Sequence, residues 1–313
     1  MKNLDTLYEA IDGLSLEGGW HRKTPSLWPE PRKNFLPYIW HYADVKPILE
    51  AAGHLVDHRM ADRRNLTMTN PVPGNLYATA RTMVAAYQSI KPGECADSHR
   101  HTPNALRIIL EGRGSYTTVN GTRVEMRPGD VLLTPSMNWH AHESVGPDEC
   151  FWVDVLDVPL VHLLEPMFFE RHPNKLETDI HNVDECGLAL RWEESLRRLD
   201  HATPIQDGVA EREVELGSPA LKTMAVHAQR MSKGFVSRQH RTSANALFTV
   251  IEGAGVTQVG DKQLAWNRGD VFVVPAWQPY QHTVTADTHI VRVSDEPVMK
   301  AFDFFRHEQV LLA

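Results

Sequence analysis

The chain has 313 residues, 42% of them apolar, and a formal net charge of −8. That length suits two domains of about 100 to 150 residues, each able to bury a core. An acidic balance without a Lys/Arg cluster argues against a nucleic-acid or anionic-membrane surface. No apolar run reaches transmembrane length, and the amino terminus from Met1 to Tyr8 is too polar for a signal peptide, so a cytoplasmic protein handling a small molecule is expected. Cys95, Cys150 and Cys186 show no Cys-x-x-Cys spacing and fit reduced thiols.

Residues 1–72 read as an arm with short helices, expected to wrap the barrels or a neighbouring subunit. Leu4, Leu7, Tyr8 and Ile11 fall at i, i+3, i+4 and i+7 and predict a helix ending near Gly13; a second is predicted from Asp44 to Gly53. Pro25 to Pro37 reads as loop. From 73 to 160 the period changes to short alternating strands punctuated by Gly, Pro and Asn, which predicts a β-barrel. Residues 161–215 turn helical, with Leu188, Trp192, Leu196 and Leu199 as one apolar stripe, and read as a linker.

Residues 216–313 repeat the first barrel. Asn104-Ala105-Leu106, Glu111-Gly112 and Gly114 recur 141 positions later as Asn245-Ala246-Leu247, Glu252-Gly253 and Gly255. Gly129-Asp130-Val131 and Pro135 recur 140 positions later as Gly269-Asp270-Val271 and Pro275. Matched turns at a near-constant offset predict two copies of one barrel.

His99 and His101 stand at i and i+2, which on a strand places both imidazoles on one face. Turns at Asn120-Gly121 and Pro128-Gly129-Asp130 return the chain so that His140 can join them, and three histidines so placed predict a metal site. Imidazole suits iron, zinc, copper and nickel alike, so the ligands alone do not choose the ion. In the second copy His240 answers to His99, but Thr242 and Tyr280 stand for His101 and His140. One metal per chain is therefore expected, in the first barrel, with His240 and His282 as polar residues of a structural barrel.

Two more side chains are expected inside the first barrel. His142 shares the face of His140, where it can transfer a proton or only orient the barrel mouth by a hydrogen bond. Arg107 lies an even number of positions from both His99 and His101, and buried there it needs an anion, either a ligand or an internal partner such as Glu111 or Asp130. Trp139 alternates outward, and the Gly112 and Gly253 turns open no helix and so cradle no phosphate.

The spacings from Gly93 to His101 and from Gly129 to His140 resemble the two motifs of the cupin superfamily. More closely, His99 through Gly114 and Pro128 through His142 are similar to the gentisate 1,2-dioxygenase family, bicupin enzymes that open the ring of 2-hydroxybenzoates and include salicylate, 5-nitrosalicylate and 1-hydroxy-2-naphthoate dioxygenases. The pattern covers about 75–313, and Arg63-Arg64 with Asn70-Pro71 extends it upstream. Ala105 and Leu106 stand where many cupins carry a glutamate ligand, leaving an all-histidine site whose ion keeps its full charge for a chelating dianion. Val84 and its neighbours do not supply the aromatic lining expected of the salicylate-cleaving branch.

The resemblance implies a mainly β bicupin, two jelly-roll-like barrels with helical N-terminal and linker segments. It implies Fe(II) on His99, His101 and His140, an aromatic 2-hydroxy acid and dioxygen as substrates, and a homotetramer or other homo-oligomer. Cleavage would fall between the carboxylate-bearing and ortho-hydroxyl-bearing carbons, in aromatic catabolism. Arg107 would meet the carboxylate or an oxygen intermediate and His142 would move a proton. Gln88 would hydrogen-bond a ring substituent, with Arg59, Arg63 and Arg64 adding positive charge. The alternatives are a bicupin dioxygenase or isomerase acting on a non-aromatic substrate, and a non-catalytic cupin that binds a small acid.

Overall fold

The computed structural model describes residues 2–20, 25–56, 64–206, 208–217 and 220–310, in two compact units, 1–32 and 33–313. The first unit holds α1 (Leu4–Gly13), where the apolar spacing predicts it. Asn3 caps it: the Thr6 N–H donates to Asn3 Oδ1 at 3.0 Å, satisfying an amide that the first helical turn leaves open. No residue of α1 is buried.

The second unit begins with β1 (Tyr38–Trp40), α2 (Tyr42–Leu55), β2 (Arg64–Thr67), β3 (Val84–Ile90), β4 (Cys95–His101) and β5 (Ala105–Glu111). Then come β6 (Ser115–Val119), β7 (Thr122–Glu125), β8 (Val131–Thr134), β9 (His140–Ser144), β10 (Cys150–Leu156) and α3 (Val158–Leu164). The connecting stretch gives β11 (Phe169–Arg171), β12 (His181–Asn182), β13 (Ala189–Leu190), α4 (Trp192–His201) and β14 (Arg212–Glu215). The second barrel adds β15 (Ala225–Met231), β16 (His240–Thr242), β17 (Ala246–Val259), β18 (Lys262–Asn267), β19 (Val271–Val274), β20 (Tyr280–Ser294), α5 (Glu296–Ala301) and β21 (His307–Gln309).

Two six-stranded sheets, β13-β8-β5-β10-β3-β2 and β11-β4-β9-β6-β7-β12, make the first barrel. The second is one sheet with the path β1-β19-β17-β20-β15-β14, to which β16, β18 and β21 attach. Its β17 runs on through bulges between Val250 and Gly255, where the first barrel breaks into β5 and β6. Strand alternation then sorts β5. Leu106, Ile108 and Leu110 point out and join Val153, Val155, Leu247, Val291 and Val293 in one core shared by the two barrels. Ile109 points in and packs with Trp152, Leu132, Ile90 and Met126.

The segments before the barrels are exchanged. β1 pairs with β19 of the second barrel, while β13 pairs with β8 of the first. Each following helix is anchored by the aspartate of the opposite barrel's turn: Tyr42 N–H donates to Asp270 Oδ1, and Trp192 N–H to Asp130 Oδ1, each at 2.8 Å. Gly129 (φ +88°) and Gly269 (φ +86°) make the close approach possible, because a Cβ on either would lie 2.4 Å from the Trp192 or Tyr42 ring. Hydroxyls cross in the same way. Thr223 donates to Asp157, and Thr82 donates to Asp295.

Residues 161–215, read from sequence as a helical linker, contain α4 but also four short strands that extend both barrels. Such edge strands are held by backbone hydrogen bonds, which impose no side-chain period and so leave little trace in the sequence. No helix among the described residues is long and apolar enough to cross a membrane.

Candidate metal centre

β4 and β9 are antiparallel neighbours with His99 opposite His140, and the pleat puts His101 on the same side as His99. The ligand atoms of His99, His101 and His140 lie within 4.8 Å of one another. Each Nδ1 faces a backbone carbonyl two residues away: Asp97 O at 3.2 Å for His99, Pro103 O at 2.8 Å for His101 and Asn138 O at 3.0 Å for His140. A carbonyl only accepts, so each Nδ1 carries the proton and each Nε2 is the ligating nitrogen. Three neutral imidazoles oriented in this way fit a divalent metal with positions left for substrate.

The wall beside His99 comes from β11, which pairs with β4. Phe169 stacks on His99 with centroids 5.4 Å apart, and Glu170 accepts from Arg100 at 2.6 Å. Arg100 in turn lies 4.4 Å from the Trp139 ring, on the outer side where alternation places that tryptophan. Phe169 carried no sequence signal, because its strand is three residues long and exposed.

His142 is buried, 6.1 Å from His140 and 6.0 Å from Trp152 between ring centroids. Gln88 on β3 is buried in register with Trp152, and by alternation it shares the inward face of Ile90. Arg107 also points inward, and its partner is Asp154 rather than Glu111 or Asp130. Nε lies 3.3 Å from Asp154 Oδ1, with the side chains 1% and 6% exposed, and Nη1 donates to Thr134 Oγ1 at 2.7 Å. Glu111 is taken by Lys46 and Asp130 by Arg191. Burial lowers the Arg107 pKa and the Asp154 charge raises it in part; a guanidinium remains a cation throughout. Asp154 had a signal that the sequence reading missed: it is the lone acid in the apolar strand Phe151–Leu156 and requires a buried donor.

Arg64 departs from its expected role. It pairs with Glu94 and donates to Val56 O. Its register partner is Ser89, so the pleat turns it to the face opposite Gln88, away from the barrel interior. Arg59 and Arg63 lie outside the described residues.

The second barrel shows what the fold does without the site. Phe248, at the place of Arg107, stacks on Phe272 with centroids 4.7 Å apart and meets the edges of Tyr280 and His282. Arg292, at the place of Asp154, turns to Glu213. His240 Nδ1 lies 2.9 Å from His307 Nε2, and His282 Nδ1 lies 2.7 Å from Thr257 Oγ1. Burial, with the Arg292 charge, pushes His282 down to about 3. Among the described residues, the His99, His101 and His140 set is the one group of three that could hold a metal.

A cupin-domain family model matches residues 86–156 and 227–295, one barrel each. The fold and the site thus define a two-barrel cupin protein with a three-histidine metal centre in one barrel. A gentisate 1,2-dioxygenase from Streptomyces sp. is 33% identical over 97% of this chain and 95% of its own length. A 5-aminosalicylate 1,2-dioxygenase from Comamonas sp. is 32% identical over 98% and 90%. The crystal structure of a salicylate 1,2-dioxygenase variant from Pseudoaminobacter salicylatoxidans, in complex with gentisate, superposes with a TM-score of 0.90 at 27% identity, covering 99% of this chain and 95% of that one. The chain belongs to the family of gentisate 1,2-dioxygenases and related ring-cleaving dioxygenases, and it is a dioxygenase with a metal cofactor.

Proposed function

We propose that the protein is an Fe(II)-dependent dioxygenase of extradiol type, acting on gentisate or a related 5-substituted salicylate and cleaving between the carboxylate-bearing and ortho-hydroxyl-bearing carbons. The observation that carries the reading is the meeting, in one barrel interior, of three oriented imidazoles and the buried cation Arg107. Iron held by His99, His101 and His140 supplies the chemistry that joins an aromatic 2-hydroxy acid to dioxygen.

The remaining groups bind and orient. Arg107 receives the substrate carboxylate with its planar fork of donors, and its charge is strong there because the surroundings exclude water. Gln88 offers an amide to a ring substituent, and Trp152 and Phe169 supply flat apolar walls. His142, on the His140 face, holds or accepts the proton that the phenol releases. Exposed Leu163, Leu164 and Phe168 support a homo-oligomer, and the three free thiols suit a cytoplasmic setting.

The test is metal analysis followed by oxygen-electrode assays of the iron-loaded protein with gentisate, salicylate, 5-nitrosalicylate and 1-hydroxy-2-naphthoate. One dioxygen should be consumed per ring opened with at least one of these acids. Iron-loaded protein that consumes none with any of them would overturn the proposal.

A further inference from the structure

Arg107 is held by two neighbours, and the internal repeat separates what the barrel needs from what the arginine needs. Thr134, on β8, is fully buried and follows Leu132 on the inward face. Its hydroxyl accepts from Arg107 Nη1 at 2.7 Å, while Asp154 sits at Nε on the opposite flanking strand. The guanidinium is thereby hydrogen-bonded at Nη1 and charge-paired at Nε from two flanking strands, and the Thr134 bond is the directional one. In the second barrel Thr134 corresponds to Val274, which pairs with Ala246 as Thr134 pairs with Ala105. Arg107 and Asp154 correspond there to Phe248 and Arg292, again direct register partners. Where no arginine needs holding, the same site of the same fold carries the near-isosteric valine. The hydroxyl is therefore not required to pack the barrel, and burying it costs free energy unless it is bonded.

We propose that Thr134 is a positioning residue that sets the plane of the Arg107 guanidinium for the substrate carboxylate. The inference rests on the reading of Arg107 given above. Orientation enters both binding and turnover, because a fork rotated out of plane meets the carboxylate through one donor instead of two.

The experiment compares Thr134→Val, Thr134→Ser and Arg107→Met, each loaded with Fe(II). Iron content, thermal midpoint, steady-state kinetics and equilibrium binding of salicylate and salicylamide under argon are measured. Thr134→Val should keep its iron, lose only the few degrees of thermal midpoint that one unpaired donor costs, bind salicylate about tenfold more weakly, and bind salicylamide, which lacks the carboxylate, as the parent does. Thr134→Ser should restore salicylate binding to within about twofold, since it returns the hydroxyl. A valine variant that binds both ligands as the parent does, while Arg107→Met loses salicylate, would refute the role of Thr134 alone. Unchanged salicylate binding in Arg107→Met would instead refute the reading of Arg107. Loss of iron in Thr134→Val, or equal weakening of acid and amide, would show a packing role and also overturn the inference.

Discussion

Arg107 and Asp154 form a buried ion pair at 3.3 Å with side chains 1% and 6% exposed, so removing one partner should differ sharply from removing both. Arg107→Met leaves the Asp154 carboxylate in the barrel interior without the guanidinium. Breaking a buried pair in this way costs about 3 to 5 kcal/mol, a large part of the roughly 5 to 15 kcal/mol that holds a domain folded. Arg107→Met combined with Asp154→Leu removes both charges, and apolar replacement of a whole pair is about neutral. The second barrel already carries Phe248 at the arginine's place within a packed aromatic interior. Urea unfolding should therefore find the single variant strongly destabilised and the double variant back within about 1 to 2 kcal/mol of the parent. Turnover should not return, because the double variant still lacks a charge-assisted substrate contact worth about 1.5 to 3 kcal/mol, or roughly 10- to 150-fold. A double variant as unstable as the single one would refute the claim that charge pairing sets the cost. A stable double variant that cleaves substrate at the parent rate would remove Arg107 from the site.

Ala at His99, His101 or His140 should each abolish iron retention by elemental analysis, whereas His240→Ala should leave iron content unchanged, since the three converging nitrogens belong to the first barrel. His282 stays neutral in the folded protein down to about 3 while the unfolded chain protonates near 6.5, so the unfolded state binds more protons between those values and stability falls as pH drops through that window. Between pH 7 and pH 5 this should cost about 2 kcal/mol in urea unfolding, and His282→Asn should lose that part of the slope; an identical pH dependence in the variant would contradict it. Gly129→Ala meets both the left-handed φ of +88° and the Trp192 ring 2.4 Å away, so it should destabilise by about 2 to 4 kcal/mol without changing the metal ligands. His142→Gln should keep its iron and lower turnover by roughly 100-fold or more, with urea unfolding of the same variant checking that the loss does not follow from destabilisation.

The metal centre was legible because its geometry is local. Two histidines at i and i+2 share a strand face, and the repeat showed which barrel keeps the set. The inward direction of Arg107 followed from the same parity, but its partner did not. Asp154 reaches it through the pairing of β5 with β10, a register set by the whole sheet, and the nearer acids Glu111 and Asp130 are used by Lys46 and Arg191. Arg64 turned the other way for a related reason, since parity on a strand has meaning only once its register is known, and opposite Ser89 it faces Glu94. The exchange of β1 and β13 between barrels was hidden too, because strands of three and two residues pair through backbone and carry no periodic signature.

Two copies of one barrel within a chain act as a control on each other. Several positions that stay alike serve the fold: Asn104 and Asn245 tied to Asp157 and Asp295, Gly129 and Gly269 under an aromatic ring, and Asp130 and Asp270 anchoring a helix start. The ion pairs Arg100–Glu170 and Arg241–Glu308 close the mouth strands of both barrels in the same way. Among the positions that differ are His101, His140, Arg107, Thr134 and Asp154 of the first interior, which stand as Thr242, Tyr280, Phe248, Val274 and Arg292 in the other copy. Arg107 contacts both Asp154 and Thr134, and all three are replaced in the copy that also lacks His101 and His140; this joint replacement ties the buried arginine and its two partners to the metal centre, and leaves the second barrel as the scaffold against which the first is braced.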